Sequence, residues 1–244
     1  MARLENAGTL INRVAVEVGL LPVQDPVASD EDIFVQLTGL LTSAGQEMVE
    51  LNPWQILTKE YTKTTQVGDT GNYTLPDDFS AMIDQTGWDQ TNNVPLGGPL
   101  SPQQWTYLKG RDLSSGTLYV AFRQAENLFS IYPNDPVEPG IMISFEYQSR
   151  DWVTINGTTE TRDYIATSQD IVMYEPILMV KFLKCKWQEA KGFDSTASRI
   201  EFDNIFNGRV GRDTGGSVLN IGSGSGNVRY ISPYGNTPDT GYGV

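Results

Sequence analysis

The sequence predicts an α+β protein, with a helical bundle made by its N- and C-terminal helices, an inserted antiparallel β domain and an extended C-terminal tail. Three observations carry this prediction. Apolar residues recur with a period near 3.6 in residues 4–51 and again in 168–207, and with a period near 2 across the interval between them. The last 34 residues, 211–244, contain nine glycines and only four charges. The expected divisions are 1–56, a helical hairpin; 57–160, the β-rich insertion; 161–210, helices that complete the bundle; and 211–244, the glycine-rich extension.

Leu4, Ala7, Leu10, Ile11, Val14, Ala15 and Val18 mark an amphipathic helix over 4–18, stopped by Gly19 and Pro22. A second helix should begin after Ser29, whose hydroxyl suits a cap, with Asp30, Glu31 and Asp32 at the positive end of the dipole. Its apolar face reads Ile33, Leu37, Leu40, Leu41, Ala44, Met48 and Leu51, and Asn52-Pro53 ends it. Such a hairpin needs a third element over its apolar stripes.

From Trp54 to about Trp152 the pattern alternates. Residues 58–67 are threonine-rich, 68–71 read as a turn, and strands are expected at 73–76, 82–88, 117–122, 128–133 and 141–148. Residues 123–127 suit a short hairpin loop, and Pro133-Asn134-Asp135-Pro136 reads as a turn. The spacing points to a small antiparallel sandwich or barrel. Asn156-Gly157-Thr158 matches a glycosylation sequon but reads as a turn.

The run 171–183 is apolar nearly all round except for Glu175, the pattern of a helix central to a bundle. Pro176 belongs in a first helical turn, so the long helix should start near Glu175, preceded over 169–174 by a separate turn or a kinked entry. Gly192 ends it, and Ser195 can cap a last helix to about Asn207 that carries Ala197, Ile200, Phe202, Ile205 and Phe206.

The chemistry open to this chain is narrow. There is no histidine, which removes the usual general base and the nucleophile pairs built on it. Cys185 stands alone, so neither an intrachain disulfide nor a multi-cysteine metal site is available. The N-terminal stretch carries Arg3, Glu5, Arg13 and Glu17, unlike the uncharged core of a signal peptide, and no run reaches the ~20 apolar residues of a membrane span. A net charge of −13 disfavours a phosphate-gripping surface and fits one that DNA passes without sticking, as it also fits simple solubility.

Paired carboxylates are the remaining catalytic option. Asp77, Asp78, Asp84, Asp89, Glu126 and Asp135 fall in the β region, and two carboxyls ~5–9 Å apart serve glycoside hydrolysis. With 30 acids in the chain such pairs arise by chance. Trp88 and Trp105 have a sugar-stacking reading, against the commoner one of core packing. No phosphate loop, calcium loop or other cofactor motif is present, so the expected catalytic, metal and cofactor sets are empty. Lys181, Lys184, Lys186, Lys191, Arg199, Arg209 and Arg212 give the last helices a local basic bias, read either as a DNA-contacting stripe or as the complement of the acidic 25–32 segment on a neighbouring subunit. In the tail, Val218, Leu219, Ile221, Val228, Tyr230, Ile231, Tyr234 and Tyr242 are spaced apolar anchors of the kind that dock an extended peptide.

Residues 73–110 carry a resemblance. The run Tyr73-x-Leu75-Pro76-x-Asp78-Phe79, then Trp88-Asp89, Pro95-Leu96-x-x-Pro99, Ser101, Gln104-Trp105 and Leu108-Lys109-Gly110 resembles the head-to-tail adaptor proteins of short-tailed bacteriophages. Phe129-Ser130-Ile131-Tyr132-Pro133 is similar to the family's next element, and the order of helical hairpin, β domain, long helix and glycine-rich extension also resembles it. The resemblance implies a virion structural protein, made in the host cytoplasm and located at the head–tail junction, that forms a ring of about twelve copies beneath the portal. It implies a helical part facing the portal and lining the DNA channel, and a β part that receives nozzle or tail proteins. Carried onto this chain, Val218, Leu219, Ile221, Val228, Tyr230, Ile231 and Tyr234 would contact the portal, and Asn93, Pro95, Leu96 and Pro99 would lie in an inter-subunit or nozzle-contact loop. DNA would pass without sequence-specific binding, and no membrane is implied. A carbohydrate-binding or wall-degrading tail component, with exposed tryptophans and a carboxylate pair in a cleft, is the alternative; a scaffold absent from the finished particle is a second.

Overall fold

The computed structural model describes residues 4–110, 121–125, 127–132 and 139–213. Helices α1 (Ala7–Glu17) and α2 (Asp32–Leu51) open the chain. The β region comes next: β1 (Thr58–Thr64), β2 (Asn72–Thr74), β3 (Phe79–Met82), β4 (Trp88–Asp89), β5 (Val94–Pro95), helix α3 (Pro102–Gly110), β6 (Ala121–Ala125), β7 (Leu128–Tyr132) and β8 (Met142–Ser149). Short strands β9 (Val153–Thr154), β10 (Thr161–Arg162) and β11 (Ile171–Val172) lead into α4 (Pro176–Lys191) and α5 (Thr196–Asp213). The protein is α+β, with a β domain inserted between N- and C-terminal helices.

Helix α4 is the centre of the bundle: α1, α2 and α5 all pack against it. Glu175 stands at its N-cap with Pro176 in the first position, and Gly192 closes it at φ +74°, a conformation that costs a residue with a Cβ. The bundle core holds Leu10, Ile11, Leu37, Leu41, Met48, Met179 and Leu183, all essentially free of solvent, and it draws in Trp152 and Val153 from beyond β8. Stacked rings of Phe182 and Phe202, 4.5 Å apart, fix α5 on α4.

All strand pairs are antiparallel. One sheet runs β1-β8-β4-β5, with β3 also on β8; the second runs β2-β7-β6; the third, β10-β9-β11, lies against the bundle. The first two pack face to face. Ile143, Phe145 and Tyr147 alternate along β8 and meet Phe129, Ile131, Tyr73 and Phe122 from the other sheet, with Phe129 and Phe145 rings 4.8 Å apart. Gln148 on β8 donates from Nε2 to the carbonyls of Val49 and Asn52, satisfying acceptors at the end of α2 and joining sheet to bundle.

Several expectations need correction. Helix α1 starts at Ala7 rather than residue 4, because Glu5 and Asn6 pair with Val172 and Ile171 instead. Ser29 does not cap α2: its hydroxyl accepts from Glu31, and Glu31 occupies the cap without a side-chain bond. Leu51 is half exposed, while Phe34 and Val49 are buried in its place. Residues 169–174 contain strand β11. The β6–β7 pairing continues to Ala125 opposite Leu128, so the connecting loop is shorter than five residues. Of the expected strand over 82–88 only the ends are extended: Met82 closes β3, Trp88 opens β4, and a turn lies between them. Helix α5 reaches Asp213, and its Ala197 and Ile200 face solvent. Ser195 donates its hydroxyl to Glu189, leaving the Asp194 carboxylate to take the Thr196 N–H. The 133–136 turn and the 117–120 part of the expected strand lie outside the described residues.

Candidate assembly surfaces

The Pro/Gly loop of 92–102 is built on Asp89. Its carboxylate is fully buried and accepts from the backbone of Thr91 and Asn92 and from the Asn92 side chain, each within 3.0 Å. This fixes the reversal between β4 and β5, where Asn93 takes φ 55°, a conformation asparagine tolerates. Asn93 and Pro95 are exposed and Pro99 is half-buried, whereas Leu96 is 4% exposed and packs in the sandwich core. The loop then clamps the β6 edge: Phe122 N–H donates to the Gly97 carbonyl and Leu100 N–H to the Phe122 carbonyl, both at 3.0 Å. It is therefore a held surface, with Asn93 and Pro95 presented outward.

Helix α3 comes directly after the loop and has no counterpart in the sequence expectations. A reciprocal capping box starts it, with Ser101 N–H donating to Gln104 Oε1 and Gln104 N–H to Ser101 Oγ. The signal was present in Ser101-Pro102-Gln103-Gln104: an S-x-x-Q box with proline in the first helical position. Trp105 on this helix is buried.

The features of the carbohydrate reading are placed differently. Trp105 lies edge-on to Tyr132, 6.1 Å between ring centroids, and Trp88 is half-buried in the short β4 pair. Asp89 holds a turn, and Asp78 is bonded to Lys59, Tyr147 and Ser149, a junction between β1, β3 and β8. Glu126 and Asp135 lie outside the described residues. Among the described residues no cluster of three or more His, Cys, Asp or Glu side chains has metal-binding geometry. No described helix is long and apolar enough to cross a membrane.

The basic bias of the last helices is largely neutralised within the subunit. Lys181 pairs with Glu17 and Glu201, Lys184 with Glu17, Lys186 with Glu47, and Arg209 with Glu175. All five pairs lie within 3.2 Å and tie α4 to α1, α2 and α5, so Lys181, Lys184, Lys186 and Arg209 act as inter-helix contacts.

The tail anchors Val218, Leu219, Ile221, Val228, Tyr230, Ile231 and Tyr234 lie outside the described residues. The point of departure is defined: Asp213 Oδ2 accepts the Gln55 N–H at 2.9 Å, where the bundle meets the β region. A family model described as SU10 adaptor protein matches residues 5–219. The chain belongs to this family. The match is consistent with phage head-to-tail adaptors, and it makes this adaptor a structural virion component. The matched span takes in both halves of the adaptor's bundle, the whole inserted β domain and the first two tail anchors, Val218 and Leu219. No curated protein matches the chain.

Proposed function

We propose that this adaptor assembles as a homo-oligomeric ring, of about twelve copies, beneath the portal at the head–tail junction. The helical part extends the DNA channel, the β domain receives nozzle or tail proteins, and the C-terminal extension reaches along the portal. It performs no catalysis and holds no cofactor. The family match over 5–219 carries this reading.

Physical features support it. Twelve copies at −13 each carry −156, and a wall of that sign repels DNA and lets it slide. An extension that folds on docking would suit sequential assembly, since binding and ordering are then one event. Ile221, Val228, Tyr230, Ile231 and Tyr234 give it apolar anchors with β-branched and aromatic side chains. The exposed Asn93–Pro95 turn supplies a second contact, between subunits or to the nozzle.

The test is electron microscopy of the purified chain mixed with its portal protein. Rings on the portal are expected, together with loss of portal binding in a Tyr230→Ala, Tyr234→Ala double variant. A chain that stays monomeric in the presence of the portal overturns the proposal.

A further inference from the structure

A groove of about 330 Å³ opens where Leu4, the end of the described part of α5, the bundle and the β region converge. Leu4, Trp54, Ile56, Met173 and Leu178 give it an apolar lining, and the Arg209–Glu175 ion pair also lines it. Ile56 is 44% exposed, an isoleucine left open to water beside other apolar walls. Asp213, the last described residue, also lines the groove, held to the backbone of Gln55 next to Ile56. The last described turn of α5 therefore borders the groove.

The residues just beyond Asp213 suit an apolar groove. Thr214-Gly215-Gly216-Ser217 contains two glycines, which allow the chain to reverse after a helix, and the first apolar residues beyond them are Val218 and Leu219. Five residues span up to ~17 Å, and Asp213, from which that length is counted, already lines the groove. The family match ends at 219, so it takes in these two residues, and Ile221 to Tyr234 lie past it.

We propose that Val218 and Leu219 dock in this groove of their own subunit, covering Ile56, Met173 and Leu4. The inference refines the adaptor reading on which it rests, by dividing the tail. The first two anchors set the direction in which the extension leaves the bundle, and the portal contact falls to Ile221, Val228, Tyr230, Ile231 and Tyr234.

Cysteine pairing in the full-length chain tests it. Ile56→Cys with Leu219→Cys should form an intramolecular disulfide on mild oxidation in dilute solution. Val67→Cys with Leu219→Cys should not, since Val67 is 87% exposed and lies past the opposite end of β1 from Ile56. The native Cys185 is buried and can stay. Equal yields from the two pairs, no bond from the Ile56 pair, or a bond only between two chains, which assigns the groove to a second copy, would overturn the proposal. As a second readout, Val218→Ser with Leu219→Ser should lower the melting temperature of the isolated chain, whereas Tyr230→Ser with Tyr234→Ser should leave it unchanged; equal melting of the two variants contradicts the docking. Portal binding enters neither measurement, so the docking and the adaptor reading fail independently.

Discussion

Gly45 on α2 lies directly against the indole of Trp152: a Cβ at this glycine would stand 2.2 Å from Trp152 Cζ2. Trp152 is fully buried, stacks on Tyr174 at 6.1 Å and donates from Nε1 to the Asp163 carbonyl. The helix and the segment after β8 are thus pressed together with no room for a methyl group.

Gly45→Ala should therefore destabilise the protein although alanine is the better helix former. Overpacking of about 2 kcal/mol or more is expected, against a propensity gain of roughly 1 kcal/mol. The net loss should appear as a fall of a few degrees in thermal melting. Gly39→Ala on the same helix is the control, because nothing lies within 4 Å of its added Cβ, and it should raise the melting temperature.

Asp170 predicts acid sensitivity. Burial would raise its carboxyl, but the N–H groups of Thr167 and Ala166, the Arg162 guanidinium and the Thr167 hydroxyl outweigh burial and hold it below the usual carboxylate range. A lowered folded pKa gives stability that is present above the unfolded value, ~3.9, and lost as pH falls through the folded one. Thermal melting should drop below about pH 4. Asp170→Asn should cost about 3 kcal/mol at pH 7, because Arg162 loses its counter-charge, and should flatten the acid limb. The slope that remains belongs in part to Asp78, lowered likewise by Lys59, Ser149 and Tyr147 against burial.

Cys185 should be chemically silent in the native protein. It is fully buried on α4, and burial pushes its thiol up, away from the reactive thiolate. Labelling by a soluble disulfide reagent at pH 8 should be at least about a hundredfold slower than in denaturant, since it waits on opening of the bundle. Fast labelling under native conditions would show that α4 is not packed as described.

Ser101→Ala should loosen α3 alone. Losing the capping hydroxyl costs about 1 kcal/mol, or roughly a fivefold rise in local opening. Hydrogen exchange at the Trp105 amide, which donates to the Ser101 carbonyl, is the measurement; amides of α4 should be unaffected.

Much of the fold was legible because its signals are local. Pro176 after Glu175, Gly192 at a helix end and the alternation of Ile143, Phe145 and Tyr147 each act through the chain's own backbone periodicity. Helix α3 was equally legible in Ser101-Pro102-Gln103-Gln104, but its low apolar content gives it no marked amphipathic face. The candidate surfaces were less readable. Leu96 sits in a proline-rich loop and looked available for contact, yet the sandwich core takes it, and Ile200 looked like core yet faces water.

The amino-acid sequence by itself determined the α+β class, the insertion of a β domain between N- and C-terminal helices, and the absence of histidine chemistry. It also carried the adaptor resemblance. Only the tertiary structure decided that Lys181, Lys184 and Lys186 are partnered by glutamates on other helices, that Gly45 is the seat of Trp152, and that Asp213 of α5 borders the groove beside Ile56. Periodicity is a property of one segment, whereas burial, charge neutralisation and the shape of a groove depend on which distant segment arrives to face it.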